Sequence, residues 1–185
     1  MRKEYRKAVR ERLTQGLRRL DPSFAEVKVV SPVLGFGESV FESSVCDGLR
    51  AFLLLIPSPT GQQAFTLEIG WSTKGRFPDV GARPSTILGL GDRLPIHQSE
   101  AILRIGDLAG TADCWWQLPD PAVERPGDLQ ALQESIEPID SARAAEVVAA
   151  PVVEALKLVA EVALPFLSQL ALQHCESEST GNSAS

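Results

Sequence analysis

The side chains best suited to chemistry gather between Ile102 and Leu118. Arg104 lies inside the apolar run Ile102-Leu103-Arg104-Ile105, and Asp113-Cys114-Trp115-Trp116 follows a short small-residue turn. A guanidinium matches a carboxylate or phosphate through paired N–H donors. An indole stacks on flat groups and cations and is favoured at interfaces. Trp71 and His97 lie just upstream, so the candidate ligand- or partner-contacting set is Arg104, Trp115, Trp116, Trp71, His97 and Asp113. His97 has no second ligand at metal-binding spacing, since the other histidine, His174, is far along the chain; no metal is expected. Cys114 has only His97 as a base within reach, and neither G-x-S-x-G nor a recognisable Cys–His spacing occurs. Paired-carboxylate chemistry stays open because acidic residues are plentiful, but no two stand out. No catalytic residue and no cofactor is assigned.

These side chains need elements to hold them. Ile102 to Ile105 reads as a strand broken by Gly106, which permits a bulge. Ile102 and Arg104 then share one face, while Leu103 and Ile105 enter a core. Arg104 must reach solvent, a partner or a carboxylate, and Asp107 is one carboxylate within range. Trp115 and Trp116 cannot both point inward on an extended segment. One is core and the other faces outward or lines a groove.

The remaining pattern supplies a sheet and two helical segments. Residues 2–20 place Tyr5, Val9, Leu13, Leu17 and Leu20 on one helical stripe, and Asp21-Pro22 ends the helix. Phe24–Val30 and Ser39–Val45 read as strands. Asp47-Gly48 is a two-residue hairpin signal, and Leu49–Ile56 is apolar enough for a central strand. In Ala64–Trp71, Phe65, Leu67, Ile69 and Trp71 alternate with Ala64, Thr66, Glu68 and Gly70. Ser72–Leu94 has no lasting period, is locally basic and reads as a long loop. Leu129, Leu132 and Ile136 suggest a short helix. Asp140 or Ser141 caps a long one, kinked or divided at Pro151 and Pro165. The expected fold is α+β: a mostly antiparallel meander of about five strands against an N-terminal helix and a long, proline-kinked C-terminal helix. One domain spans residues 1–175, with a disordered polar tail at 176–185.

Composition narrows the partners. Of 185 residues, 44% are hydrophobic and 23% charged, an ordinary globular balance. Three cysteines at long spacings suit reduced thiols, and the charged start lacks the apolar region of a signal peptide, so a cytoplasmic protein is expected. Charged residues interrupt the apolar stretch at Val147–Leu172, so no membrane span is expected. The net charge of −6 conceals an asymmetry. Residues 1–20 carry eight Lys/Arg against Glu4 and Glu11, a local +6, which leaves −12 for the rest. An acidic body disfavours nucleic acid and suits a basic protein partner. The acidic segment 119–140 could steer such a partner. The basic first helix keeps a nucleic-acid reading open, but charged helix faces are usually only solvated.

Arg104-Ile105-Gly106-x-Leu108, Asp113-x-Trp115-Trp116-x-Leu118 and Leu164-Pro165-Phe166-Leu167, with the Leu34-Gly35-Phe36 turn and Phe41, resemble a bacterial family of domains of unknown function across roughly Leu34 to Leu170. The resemblance implies an α+β domain with a mostly antiparallel sheet and carries no catalytic residue. The leading expectation is a non-catalytic protein-binding module, in one version an immunity-like cap on a basic toxin or enzyme. The alternative is an enzyme or small-ligand protein with a pocket near Arg104 and the tryptophan pair.

Overall fold

The computed structural model of the protein describes residues 1–80, 98–111 and 113–181. In chain order these form α1 (Lys3–Leu20), β1 (Ala25–Val27), β2 (Ser39–Cys46), β3 (Leu49–Pro57), β4 (Ala64–Ser72), β5 (Glu100–Arg104), α2 (Ile105–Leu108), β6 (Trp116–Gln117), α3 (Pro121–Glu124), α4 (Leu129–Ile136), α5 (Ser141–Val147), α6 (Ala149–Leu158), a π turn (Val159–Ala163) and α7 (Leu164–Gly181). Strands β1 to β5 pair antiparallel in sequence order, which is the expected α+β meander. Two strands share the far edge of β4. β5 runs along Glu68–Ser72, and β6 along Ala64–Phe65.

One sheet face is backed by helices. Phe41, Leu53, Leu55, Phe65, Leu67, Ile69, Trp71 and Leu103 pack there against Val9, Leu13 and Leu17 of α1 and against Val152, Val159 and Phe166. The α1 stripe is buried as its spacing dictates, except Leu20 at the frayed end. Gly16 lets α1 approach α6 closely, because a Cβ there would sit 2.1 Å from Leu156 Cδ1.

The prolines of the C-terminal segment act as their chemistry requires. Pro151 has no N–H for the Val147 carbonyl, and the helix breaks at Val148 between α5 and α6. Pro165 cannot bond to the Glu161 carbonyl, and the preceding turn widens to a π turn. Asp140 caps α5 by accepting from the Ala142 and Arg143 amides, each at 2.9 Å.

Several expectations change. The first strand shrinks to three residues because Val27 pairs with Val40 and β2 starts at Ser39, leaving Val29 and Val30 without a strand opposite. Gly106 makes no bulge; it is buried in the turn of α2, and the positive φ belongs to Gly110. The Leu129, Leu132 and Ile136 stripe is helical but faces outward, since α4 docks through Ala131 instead. Helix α7 runs to Gly181, into the segment expected to be a disordered tail. The long loop is described only to Val80.

The sheet's second face is the largest departure. The alternation in β4 suggests one dry face, yet all nine of its residues are buried. Irregular chain covers the second side. Val27, Val29, Leu34 and Phe77 pack on Val40, Phe52, Leu54 and Ile56, with Phe77 edge-on to Phe52 at 5.2 Å. Beside them Pro78 lies over Gly70, where a Cβ would be 3.5 Å from Pro78 Cγ and 3.1 Å from the Ala101 carbonyl. On this outer face the sequence's candidate chemistry collects.

Candidate functional site: a charged outer face and an open cleft

Register decides which charges meet. Glu68 and Arg104 are cross-strand partners in the β4–β5 ladder, so both side chains emerge on the outer face. Glu68 is 1% exposed, and its Oε1 lies 3.1 Å from Arg104 Nε. Asp113 Oδ1 lies 3.8 Å from Arg104 Nη1. The Trp115 indole N–H donates to Asp113 Oδ2 at 2.7 Å, and the Arg104 guanidinium sits 5.5 Å from the Trp115 ring centre. Asp113 thereby fixes the ring, and the ring covers the guanidinium. The Nε and Nη1 of Arg104 are close enough to carboxylates for ion pairing but are not aligned for hydrogen bonds.

Arg104, Asp113 and Trp115 from the expected set are therefore brought together. Trp71 and Trp116 are not part of this group. Trp71 is 1% exposed on the helix-backed face, edge-on to Phe166 at 5.5 Å, with its N–H donated to the Gln98 carbonyl at 3.0 Å. Trp116 stacks on Phe65 at 5.3 Å. Both are buried core residues. The adjacent tryptophans do split inward and outward as extended chain demands. His97 lies outside the described residues.

Asp107, expected as a partner for Arg104, does not take that place, since the guanidinium engages Glu68 and Asp113. It is buried in α2, and neither of its carboxylate oxygens has an aligned donor among the described residues. Burial pushes its pKa up and the Asp113 charge adds to this, while the Arg104 backbone and guanidinium pull the other way. The Cys114 thiol is likewise raised by burial, with Asp113 and Glu154 adding to it. Such a thiol is a poor nucleophile.

The cluster forms one wall of a cleft of about 630 Å³, whose lining includes Glu68, Arg104, Trp115, Phe36, Ile56 and Pro57. Arg6 of α1 also reaches it, with its guanidinium 5.4 Å from the Phe36 ring centre. Sequence reasoning missed Arg6 and Phe36. The α1 stripe says which side is buried but not what the opposite side meets.

Two further charged groups lie away from the cleft. Glu100 accepts from Ser72 Oγ at 3.0 Å, from Lys74 Nζ at 3.0 Å and from Arg76 Nη2 at 3.3 Å. Burial works to raise its pKa, but the Lys74 and Ser72 hydrogen bonds with the Arg76 and Lys74 charges outweigh it and hold the carboxyl below its usual value. The second group is the α3–α4 surface. Leu129, Leu132 and Ile136 are 82%, 54% and 78% exposed, and Val123 stands out on neighbouring α3. Asp120, Glu124, Asp128, Glu134, Glu137 and Asp140 belong to the same 119–140 segment, against Arg125 alone, which pairs with Asp128 at 3.3 Å and with Glu134.

Among the described residues no three His, Cys, Asp or Glu side chains converge as metal ligands, and no helix is long and apolar enough to cross a membrane. No family model matches this chain, and no curated protein or solved structure matches it either.

Proposed function

We propose that this protein is a non-catalytic, cytoplasmic protein-binding module that takes a basic partner on its α3–α4 face. The carrying observation is the outward stripe of Leu129, Leu132 and Ile136, three large apolar side chains at helical spacing left in water. An apolar centre with a charged rim is the usual anatomy of a recognition surface. Here the rim is mostly acidic, with Arg125 within it and Arg2 and Lys3 beside Ile136 as the exceptions. The acidic side chains would draw a basic partner in and reject an acidic one. An immunity-like cap on a basic toxin or enzyme is one version of this reading.

Other basic surface in the molecule is partly used internally, which supports the choice of face. On α1, Arg10 pairs with Glu26 at 3.5 Å and Arg12 donates to the Ala145 carbonyl at 3.0 Å. The test is affinity capture from the native host, followed by rebinding of the purified captured protein. A basic partner bound at low salt, released at high salt, and lost with Leu132→Asp and Ile136→Asp supports the reading. Capture that is unchanged by both substitutions, or an α3–α4 face closed by a second copy of this chain, overturns it.

A further inference from the structure

The geometry points to a second, separate site: the outer-face cleft binds a small monocarboxylate with a flat apolar body, Arg6 holding the carboxylate and Trp115 with Phe36 holding the body. The volume, about 630 Å³, falls within the roughly 300–1,000 Å³ typical of small-molecule sites. Phe36, Ile56, Pro57, Pro59 and Trp115 give it a mostly apolar lining.

The two arginines of the cleft differ in availability. Arg104 is engaged by Glu68 and Asp113 and covered by Trp115. Arg6 lies on the Phe36 ring and has no carboxylate within 4 Å among the described residues. Gly37 leaves room for it: φ there is +82°, and a Cβ would be 2.5 Å from Arg6 Nη1, so any side chain at position 37 would displace the guanidinium. Trp115 is held by its hydrogen bond to Asp113. A positioned aromatic wall reduces the ordering a ligand must impose.

Charge sets the ligand class. Arg6, Arg104 and the Met1 α-amino group, whose pKa burial and Arg6 lower, share the lining with Glu38 and Glu68. A single negative charge can be met by Arg6, whereas the second charge of a phosphate dianion would find Arg104 already engaged by Glu68 and Asp113.

Trp115 is the one partly exposed tryptophan of the three, so its indole reports occupancy. The experiment titrates the full chain with 3-phenylpropionate, using 3-phenylpropionamide and phenyl phosphate as comparison probes. Trp115 is followed through its fluorescence and its indole N–H NMR resonance. Saturable binding of 3-phenylpropionate on the order of a millimolar is expected, as suits a fragment-sized probe. The amide and the phosphate should each bind at least tenfold more weakly. Arg6→Gln should lose at least tenfold in affinity and Arg6→Lys less. Equal binding of the amide, tighter binding of the phosphate, no saturation, or an unchanged affinity in Arg6→Gln overturns the assignment. If Arg6→Gln fails to fold, the wild-type probe comparison and the Trp115 N–H shift decide alone.

Discussion

The two faces of β4 are both buried, but to opposite ends. Toward the helices, Phe65, Leu67, Ile69 and Trp71 pack in the apolar core, the one polar group among these side chains being the Trp71 N–H, which donates to the Gln98 carbonyl. Toward the loops, Thr66, Glu68 and Ser72 each hold a named partner: the Cys114 carbonyl at 2.6 Å, Arg104, and Glu100. The first face supplies stability through removed apolar area. The second face gains little net stability from its buried charges, because desolvation offsets their attraction. It gains definite geometry instead. Neighbouring residues of one strand thus separate what keeps the chain folded from what fixes its recognition surface.

The contrast breaks or sharpens under substitution. Trp116→Ala removes a core ring stacked on Phe65 and should destabilise by about 3–5 kcal/mol in urea unfolding. Arg104→Met takes the guanidinium away from buried Glu68 and from Asp113, for a loss of about 3 kcal/mol. If Arg104→Met were neutral, the outer face would be no more demanding than ordinary surface.

The carboxylates give opposite pH signatures. Asp107 has a folded pKa above its ordinary 3.8, so its penalty appears as pH rises through that interval and persists at neutrality. Asp107→Asn should therefore stabilise by about 1 kcal/mol at pH 7, a gain of roughly 2–4 °C in Tm, and by nothing once the pH is well below 3.8. Glu100 has a folded pKa below 4.5, so its contribution is present above 4.5 and disappears as pH falls through the lower folded value. Glu100→Gln should lose up to about 1 kcal/mol at pH 7 and converge with wild type in acid, since Lys74 and Arg76 are half exposed. Leu132→Asp on the α4 stripe should change stability by no more than about 0.5 kcal/mol, whatever it does to partner binding.

Most of the helix-backed face could be read directly from the chain. The stripe of α1, the apolar β3, the alternation of β4 and the Asp47-Gly48 turn each carry a period or a turn signal, and each formed where it was expected. So did the divergence of Trp115 from Trp116. The outer face could not be read in the same way. Its cover at Val29, Leu34, Phe77 and Pro78 comes from segments without a period. Nearness in sequence points Arg104 to Asp107, but strand register places Glu68 opposite it from a distant part of the chain. The α4 stripe was legible as a helix, not as an outward one, because periodicity gives a face without saying which way it turns. Arg6 carried only the signal of being basic on a basic helix.

Gly70 has a consequence for how the outer side closes. The segment after β4 folds back over that position, but an added Cβ would press first on the Ala101 carbonyl at 3.1 Å and on Ile102 Cγ1 at 3.2 Å, with Pro78 Cγ only in ordinary contact at 3.5 Å. A valine substituted there would strain the pairing of β4 with β5 first, at Ala101 and Ile102, before it reached the Pro78 ring. A missing methyl thus lets the edge of the sheet close tightly beneath the returning loop.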